Sequence, residues 1–222
     1  MNTNCAVCSN RSSCFNTLSI NELQKVSENK NEILFRKGET IIKQDASAKH
    51  IYFIKSGLAK VHVQDESKNL ILEIAGKSSM LGITVLNHNK RYNFSATAME
   101  NVEVCEIDID VISNIITNNV AFSSTIINEL NVSIDKLLTK VFCLSQKNIQ
   151  SRMAELLVSF SDQTFKSRSF TIPMSRTDLA EITSMAKENV VRILKEFEGQ
   201  GYIKVNGKHF EILDYDRLSK LC

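Results

Sequence analysis

The sequence contains no apolar run that approaches the length of a membrane span. Its N-terminal residues also lack the basic stretch followed by an apolar core that marks a secretory signal peptide. The 222 residues, enough for two compact domains or one large one, carry a net charge of only +2, which neither requires nor excludes a nucleic-acid partner. We therefore expect a cytoplasmic protein whose six cysteines are reduced thiols or metal ligands rather than disulfides.

Features that mark enzymes are also missing. The chain has seven glycines and a single proline, and no glycine-rich phosphate loop follows a strand pattern. It offers no nucleophile with a partnered base and no second cofactor motif. An enzyme that uses its cysteines for redox catalysis is thus a remote alternative, and we expect a protein that is not an enzyme.

What the sequence does have is a cluster of cysteines near its start. Cys5, Cys8 and Cys14 follow the spacing C-x2-C-x5-C, and thiolates this close in sequence can bind one metal centre together. They are one short of the usual four ligands, and Cys105 is the best candidate for the fourth. Spacing alone leaves three possibilities open, which are an iron–sulfur cluster, a zinc site and free thiols. Cys143 and Cys222 are interpreted as small buried apolar residues.

The rest of the chain predicts an α+β fold. Short strands separated by turns indicate an antiparallel β-roll, and a later helix–turn–helix–hairpin pattern indicates a winged helix-turn-helix. Ser56-Gly57 and Asn206-Gly207 are the predicted hairpin turns, and a first helix is expected to start at Ser19 or Asn21. The predicted segments are a cysteine-rich arm, a β-roll sensor domain, a dimerisation helix and a DNA-binding domain, at residues 1–18, 19–116, 117–146 and 147–222.

The dimerisation helix is predicted from apolar residues that recur at steps of three and four. Such a heptad pattern is typical of two helices packed together, and a second copy of the same helix is the simplest partner. The alternative is a helix that packs on its own domain. The residues of this seam are Ile127, Leu130, Ile134, Leu137, Val141 and Leu144.

The C-terminal segment contains the predicted reading helix, from Lys187 to Phe197. A capping box over Ser175–Asp178 opens the helix before it. An inward apolar stripe is expected on the reading helix because its apolar residues recur at helical spacing. The stripe consists of Val190, Ile193, Leu194 and Phe197.

The opposite face of the reading helix predicts contacts with DNA. Glu188 and Arg192 lie one turn apart, so they form either an ion pair on a solvated face or a pair that reads a G·C step. Val191 favours base reading, because a valine among charges can contact a thymine methyl group. Basic residues nearby are candidates for phosphate contacts: Arg176, Lys187, Lys195, Lys204 and Lys208.

These motifs resemble those of the Crp/Fnr family of bacterial transcription regulators. Glu188-Asn-Val-Val-Arg192 resembles the family's E-x-x-x-R reading-helix motif, and Leu144-Ser-Gln-Lys-Asn148, followed by Arg152, resembles the junction after its dimer helix. The resemblance covers nearly the whole chain. It implies a homodimer that binds palindromic double-stranded DNA and works with RNA polymerase.

Within the family, the chain most resembles the oxygen-sensing branch named for fumarate and nitrate reduction. The arm repeats that branch's cysteine spacing, and Val104-Cys105-Glu106-Ile107 resembles the strand that carries its fourth ligand. The resemblance implies a [4Fe–4S] cluster whose loss to oxygen or nitric oxide changes dimer geometry and operator binding. The alternative is a regulator of the same type without a cluster, which binds structural zinc or senses another signal through haem or a small ligand. No two histidines lie at a ligand spacing on one element, among His50, His62, His88 and His209.

Departures from the family pattern lead to further expectations. Nucleotide-binding members carry a Gly-Glu pair and an Arg-Ser pair around the ligand phosphate, but Gly82-Ile83 and Tyr92-Asn93-Phe94 stand here, so we expect no cyclic nucleotide. Leu137 replaces an acid of the oxygen-sensing seam, which predicts a dimer that persists without the cluster. Val191 replaces a serine or glycine and predicts a different half-site. Ala186 lacks the usual capping hydroxyl, which costs about 1 kcal/mol unless Ser184 substitutes.

Overall fold

The computed structural model describes residues 4–8, 10–86 and 90–222. The helices are α1 Ile20–Glu28, α2 Ile109–Asn118, α3 Val120–Gln146, α4 Ile149–Ser159, α5 Arg176–Thr183, α6 Lys187–Gly199 and α7 Tyr215–Ser219. The strands are β1 Lys30–Phe35, β2 Thr40–Ile42, β3 His50–Ser56, β4 Ala59–Gln64, β5 Asn69–Ala75, β6 Met80–Leu81, β7 Ser95–Ala98, β8 Val102–Asp108, β9 Ser169–Thr171, β10 Ile203–Asn206 and β11 His209–Ile212. Across the described ranges, no helix combines the length and apolar character needed to cross a membrane.

The chain divides into two compact units, one ending at Asp135 and the other running from Lys136 to Cys222. The first unit contains two antiparallel four-stranded sheets, in the orders β1-β8-β3-β6 and β2-β7-β4-β5. These sheets, the long helix α3 and the small C-terminal wing sheet confirm the predicted α+β fold class.

Strand β8 separates two apolar cores, because alternate side chains of a strand point to opposite faces. Val102 and Val104 face the core between the two sheets. Cys105 and Ile107 face a second core, which the arm, α1, α2 and the start of α3 cover. The strand that holds the predicted fourth ligand therefore presents that residue to the arm.

The predicted hairpin at Ser56-Gly57 is wrong. Strands β3 and β4, which flank it, belong to different sheets. The glycine makes a corner between the sheets, with a φ of +84°, and a Cβ there would lie 2.3 Å from the carbonyl oxygen of Asn101. Sequence alone does not separate such a corner from a hairpin, since both need a glycine with positive φ.

The first helix begins as predicted. Ser19 and Glu22 form a capping box at the start of α1, and Leu23 and Val26 are buried. Helix α2 then leads through Asn119 into α3, whose first two turns bury Phe122 and Ile126. The sensor unit thus continues directly into the long helix.

The second unit has helices α4 to α7 and a three-stranded sheet in the order β10-β11-β9. The predicted capping box of Ser175 and Asp178 opens α5. The hairpin between β10 and β11 is confirmed, but Asn206 pairs with His209, so its loop residues are Gly207 and Lys208 rather than Asn206 and Gly207. Only Gly207 of the two has a positive φ, as a type II′ turn requires.

Candidate functional site

The arm and the first sheet enclose a small cavity lined by three of the four candidate ligands. Cys5 and Cys8 come from the arm, and Cys105 comes from β8. The cavity has about 20 Å³ of room, enough for about one water molecule. The fold therefore brings these thiols to one place, although Cys8 and Cys105 are ninety-seven positions apart in the chain.

Cys14 lies beside this group in the same apolar core. Its thiol is 3.3 Å from the hydroxyl of Ser12, which lines the cavity. Burial raises the pKa of the Cys14 thiol. Burial also raises the pKa of Cys105, to about 11, so both are protonated at neutral pH.

Two lysines line the same cavity, and neither was singled out from the sequence. The ammonium groups of Lys30 and Lys55 share the carboxylate of Glu32, at 2.7 and 2.8 Å. Burial by itself would lower the pKa of each lysine, but the hydrogen bonds to Glu32 and the charges of nearby acidic groups, including the cavity cysteines, outweigh burial, so each pKa is raised. Both side chains remain cationic within electrostatic reach of Cys105.

The four thiols are suitable ligands for the implied cluster, but their positions in the structure do not match those of ligands to one metal centre. Thiolates are the preferred ligands of iron–sulfur clusters and of structural zinc. Among the described residues, however, no three His, Cys, Asp or Glu side chains are arranged to hold a metal ion. Cys5, Cys8, Cys14 and Cys105 are the residues that would hold a cluster, although the described geometry does not bring three of them within reach of one metal ion.

The arm also contacts the start of α3 directly. The ring of Phe15 stacks near the ring of Phe122, with centroids 6.2 Å apart. The side-chain amide of Asn119 donates to the carbonyl of Thr17 at 3.3 Å and to the carboxylate of Glu22 at 3.1 Å. Its oxygen accepts from the backbone N–H of Phe122 at 2.9 Å, which caps α3.

The middle of α3 carries the predicted seam. Ile127, Ile134, Leu137 and Val141 are exposed, with 46–63% of each side chain's residue surface open to solvent, while Leu130 and Leu144 are half-buried. Exposed isoleucine, leucine and valine in a regular stripe are unfavourable in water. Leu130 packs against the core of its own unit, whereas the exposed residues beyond it leave an apolar stripe that a partner helix could cover.

The C-terminal end of α3 is fastened to the helices of the second unit by two cations. Lys140 donates to the carbonyl of Ile182 at 2.9 Å. Arg152 of α4 donates to the carbonyl of Leu144 at 2.6 Å and to that of Ser184 at 3.2 Å. These contacts join the end of the predicted dimerisation helix to the turn that precedes the reading helix.

The reading helix α6 has the two predicted faces. Val190, Ile193, Leu194 and Phe197 are buried, which confirms the inward stripe. The opposite face is open to solvent, and its exposed residues include Lys187, Glu188, Val191, Arg192 and Lys195.

Two details of α6 differ from the sequence-based interpretation. Arg192 pairs with Glu196 of the next turn, so the alternative of an ion pair between Arg192 and Glu188 does not apply, and Glu188 stays on the open face. Ala186 occupies the N-cap position without a side-chain cap. Ser184 therefore does not substitute for the missing hydroxyl, and it adopts a left-handed conformation with φ of 50°.

The first residue of α5 places a further basic side chain beside the wing and α6. Arg176 is half-buried, donates to the carbonyl of Gly207 at 3.3 Å and lies over the ring of Phe210 at 5.4 Å. Burial lowers its pKa. Lys204 and Lys208 are exposed on the wing. Arg176 thus has a structural contact as well as its predicted phosphate contact.

The remaining sequence-based candidates are scattered. Ile83 and Tyr92 are buried where nucleotide-binding relatives carry a carboxylate and an arginine, which supports the expectation of no cyclic nucleotide. Cys143 is half-buried, but Cys222 is exposed, so its interpretation as a buried residue is wrong. Of the histidines, His88 lies outside the described residues.

Two family models match the chain. Residues 32–119 match the model described as a cyclic nucleotide-binding domain, and residues 151–221 match the model of a Crp-like helix-turn-helix domain.

Curated proteins and solved structures are similar over most of the chain. Electron transport regulator A of Shewanella oneidensis is 26% identical over 214 residues, which cover 93% of this chain and 84% of that protein. The fumarate and nitrate reduction regulatory protein of Escherichia coli K12 is 24% identical over 212 residues, with the same two coverages. FixK2 from Bradyrhizobium japonicum has a TM-score of 0.80 at 18% identity, over 86% of this chain and 96% of that chain. The last likeness shows the shared fold.

Proposed function

The chain belongs to the Crp/Fnr family of DNA-binding transcription regulators, and we propose that it senses oxygen or nitric oxide through a [4Fe–4S] cluster. The ligands would be Cys5, Cys8, Cys14 and Cys105. The observation that carries the proposal is the cavity that Cys5 and Cys8 of the arm share with Cys105 of β8. Similarity to a fumarate and nitrate reduction regulatory protein supports the same branch of the family. A bound cluster supplies a centre that oxygen or nitric oxide converts or degrades.

The cysteines hold the arm against the sheet in this proposal. Four thiolates from two parts of the chain restrict the arm as a crosslink would, and the thiols of Cys14 and Cys105 must lose their protons to bind. Their raised pKa values make that loss unfavourable without a metal. Loss of the cofactor would therefore return them to neutral thiols and leave the arm held by its apolar contacts alone.

The arm is coupled to the start of α3 through contacts of two residues. Phe15 packs near Phe122, and Asn119 joins Thr17 of the arm to the first turn of α3. A change in the arm thus alters both the packing and the capping of the helix start. This gives the sensor a physical route to the helix that carries the seam.

The seam then sets the geometry of a homodimer on palindromic DNA. Two copies of α3 would pack through the exposed stripe, which removes apolar surface from water. Lys140 and Arg152 hold the end of α3 to the carbonyls at the end of α5, so the reading unit follows that end. Two reading helices would then enter successive major grooves.

Purification without air tests the cofactor. We expect a brown protein that contains iron and sulfide in equal amounts, and that loses its colour and its specific DNA binding in air. Cys105→Ala should abolish cluster binding, whereas Cys222→Ala, which changes an exposed thiol, should not. Zinc without iron and sulfide would establish the structural-zinc alternative, and a colourless protein free of metal would refute both.

Substitution on the reading helix tests the DNA contact. Arg192→Ala should weaken specific binding by about 1–3 kcal/mol and relax the preference at one base pair. Lys204→Ala, on the wing, should weaken binding to all sequences alike and reduce its dependence on salt. Equal losses on specific and random DNA for Arg192→Ala would contradict its role as a base reader.

A further inference from the structure

The cavity at the arm is lined by three cationic side chains, and part of their charge is offset by Glu32, which binds both lysines, and by Glu103, which lies 4.0 Å from Lys55. Arg11, Lys30 and Lys55 line it together with Cys5, Cys8 and Cys105, and none of its described lining residues is acidic. The Lys30 side chain has only 1% of its surface exposed and that of Lys55 has 10%. Lysine is rarely buried to this extent unless it is paired.

The sheet explains how these charges reach the thiols. Glu32 of β1 and Phe53 of β3 lie opposite Cys105 of β8, so their side chains share one face of the sheet. Lys30 lies two residues before Glu32, on that same face. Lys55 lies at a β-bulge near the end of β3, between Ile54 and Ser56, and its ammonium group binds the carboxylate that Lys30 also binds.

We propose that Lys30 and Lys55 compensate the negative charge of a cluster bound by the four cysteines and thereby slow its oxidation. The inference rests on the proposed function, since it needs the cluster. Four thiolates around a [4Fe–4S]²⁺ core carry a net charge of −2. Two buried ammonium groups beside such an anion form favourable interactions that solvent screens weakly.

Oxidation of a bound cluster would make the net charge of the site more positive. If a cluster is bound, its oxidation by dioxygen would remove one electron from the site and reduce the dioxygen to superoxide. The site becomes more positive by one charge, and the nearby ammonium groups disfavour that change. Glu32, the carboxylate between the lysines, acts in the opposite sense, so the two kinds of residue should have opposite effects.

The test compares matched variants of the anaerobically reconstituted full-length protein. Lys30→Met and Lys55→Met should lose cluster absorbance in air about three- to tenfold faster than the wild type, and the midpoint potential of the 2+/1+ couple should fall. A tenfold change in that equilibrium corresponds to about 59 mV for one electron. Glu32→Gln should bleach more slowly and have a higher potential. Lys30→Arg should behave as the wild type, because it keeps the charge.

Lys37→Met provides the control, since Lys37 is exposed in the turn between β1 and β2. If the wild type takes up no iron and sulfide, the proposed function fails and the inference fails with it. If the wild type holds a cluster but the bleaching rates and potentials of Lys30→Met and Lys55→Met match those of Lys37→Met, only the inference is overturned. A shift of the same sign in Glu32→Gln and the lysine variants would also overturn it, because it would indicate structural loosening.

Discussion

The two ends of α3 are held in chemically different ways. At its start, Phe122 and Ile126 are buried and Phe15 of the arm stacks near Phe122. At its end, Arg152 and Lys140 donate hydrogen bonds to backbone carbonyls. The first attachment is mainly apolar and depends on where the arm lies, whereas the second is polar and lies wholly within the unit that reads DNA.

In the proposed function, this difference would separate the part of the helix that receives the signal from the part that transmits it. Apolar packing is sensitive to small displacements, because dispersion contacts are lost over fractions of an ångström. Cations at a helix C-terminus are favoured by its carbonyls and by the helix dipole, and several hydrogen bonds from one guanidinium fix direction as well as distance. The start of α3 is therefore suited to respond to the arm, and its end is suited to carry the response unchanged.

Breaking the apolar attachment should have the largest effect. Phe122→Ala removes a fully buried ring and should lower the free energy of unfolding by about 3–5 kcal/mol. Phe142→Ala offers a control on the same helix, since Phe142 is 59% exposed, and should stay within about 0.5 kcal/mol of the wild type. Urea denaturation of both variants measures the difference. Equal losses of stability would show that the buried contact of Phe122 does not fix the start of α3.

Breaking the polar attachment should lower the free energy of unfolding by less than the Phe122 substitution does. It should weaken specific DNA binding by more. Arg152→Ala removes the donor shared by the carbonyls of Leu144, Lys147 and Ser184, which should cost about 2–3 kcal/mol. Specific DNA affinity should fall further than stability alone explains. Arg217→Ala, which changes an exposed surface arginine, is the control. Unchanged operator affinity in a folded Arg152→Ala protein would refute the coupling.

Asn119 allows a finer test of the input end. Asn119→Ala removes the cap of α3 and the bond to Thr17, so the first turn of α3 should lose about 1–2 kcal/mol. Hydrogen exchange at Phe122 should accelerate accordingly. The neighbouring Asn118 is exposed and bonds within α2, so Asn118→Ala should leave that exchange unchanged. Equal exchange in the two variants would mean that Asn119 does not link the arm to α3.

The smallest expected effect concerns the reading helix at the output end. Ala186→Ser should supply the missing N-cap of α6 and stabilise the second unit by about 1 kcal/mol. Thermal unfolding of Ala186→Ser and Ala186→Gly measures the gain, and glycine should give less because it has no side-chain oxygen. A loss of stability with serine would indicate that the N-terminus of α6 is already satisfied.

The reading unit was largely predictable from sequence because its signals are local. The capping box of Ser175 and Asp178, the apolar stripe of α6 and the glycine of the wing all act within a few residues of one another. The errors were local as well. Arg192 could pair with a carboxylate one turn before or after it, and helix geometry permits both.

The sensor unit was predictable only in outline. Alternating strands identified the β-roll, yet Ser56-Gly57 was misread because a corner between sheets and a hairpin share the same local conformation. Lys30, Lys55 and Asn119 gave no signal of their own. A lysine in a strand and an asparagine before a helix are ordinary at the surface, and only the register of β1, β8 and β3 brings the lysines to the cavity.

By itself, the sequence determined the order of the elements, the apolar stripe of α3, the faces of α6 and the residue types available as ligands. These features follow from hydrophobic periodicity and side-chain chemistry, which act between residues within one or two helical turns of each other. The sequence already named Cys105 as the residue that meets the arm. The tertiary structure alone decided that two lysines surround that meeting point and that Asn119 and Arg152 hold opposite ends of α3. Such contacts join residues far apart in the chain, and their geometry depends on strand register and packing that no local pattern encodes.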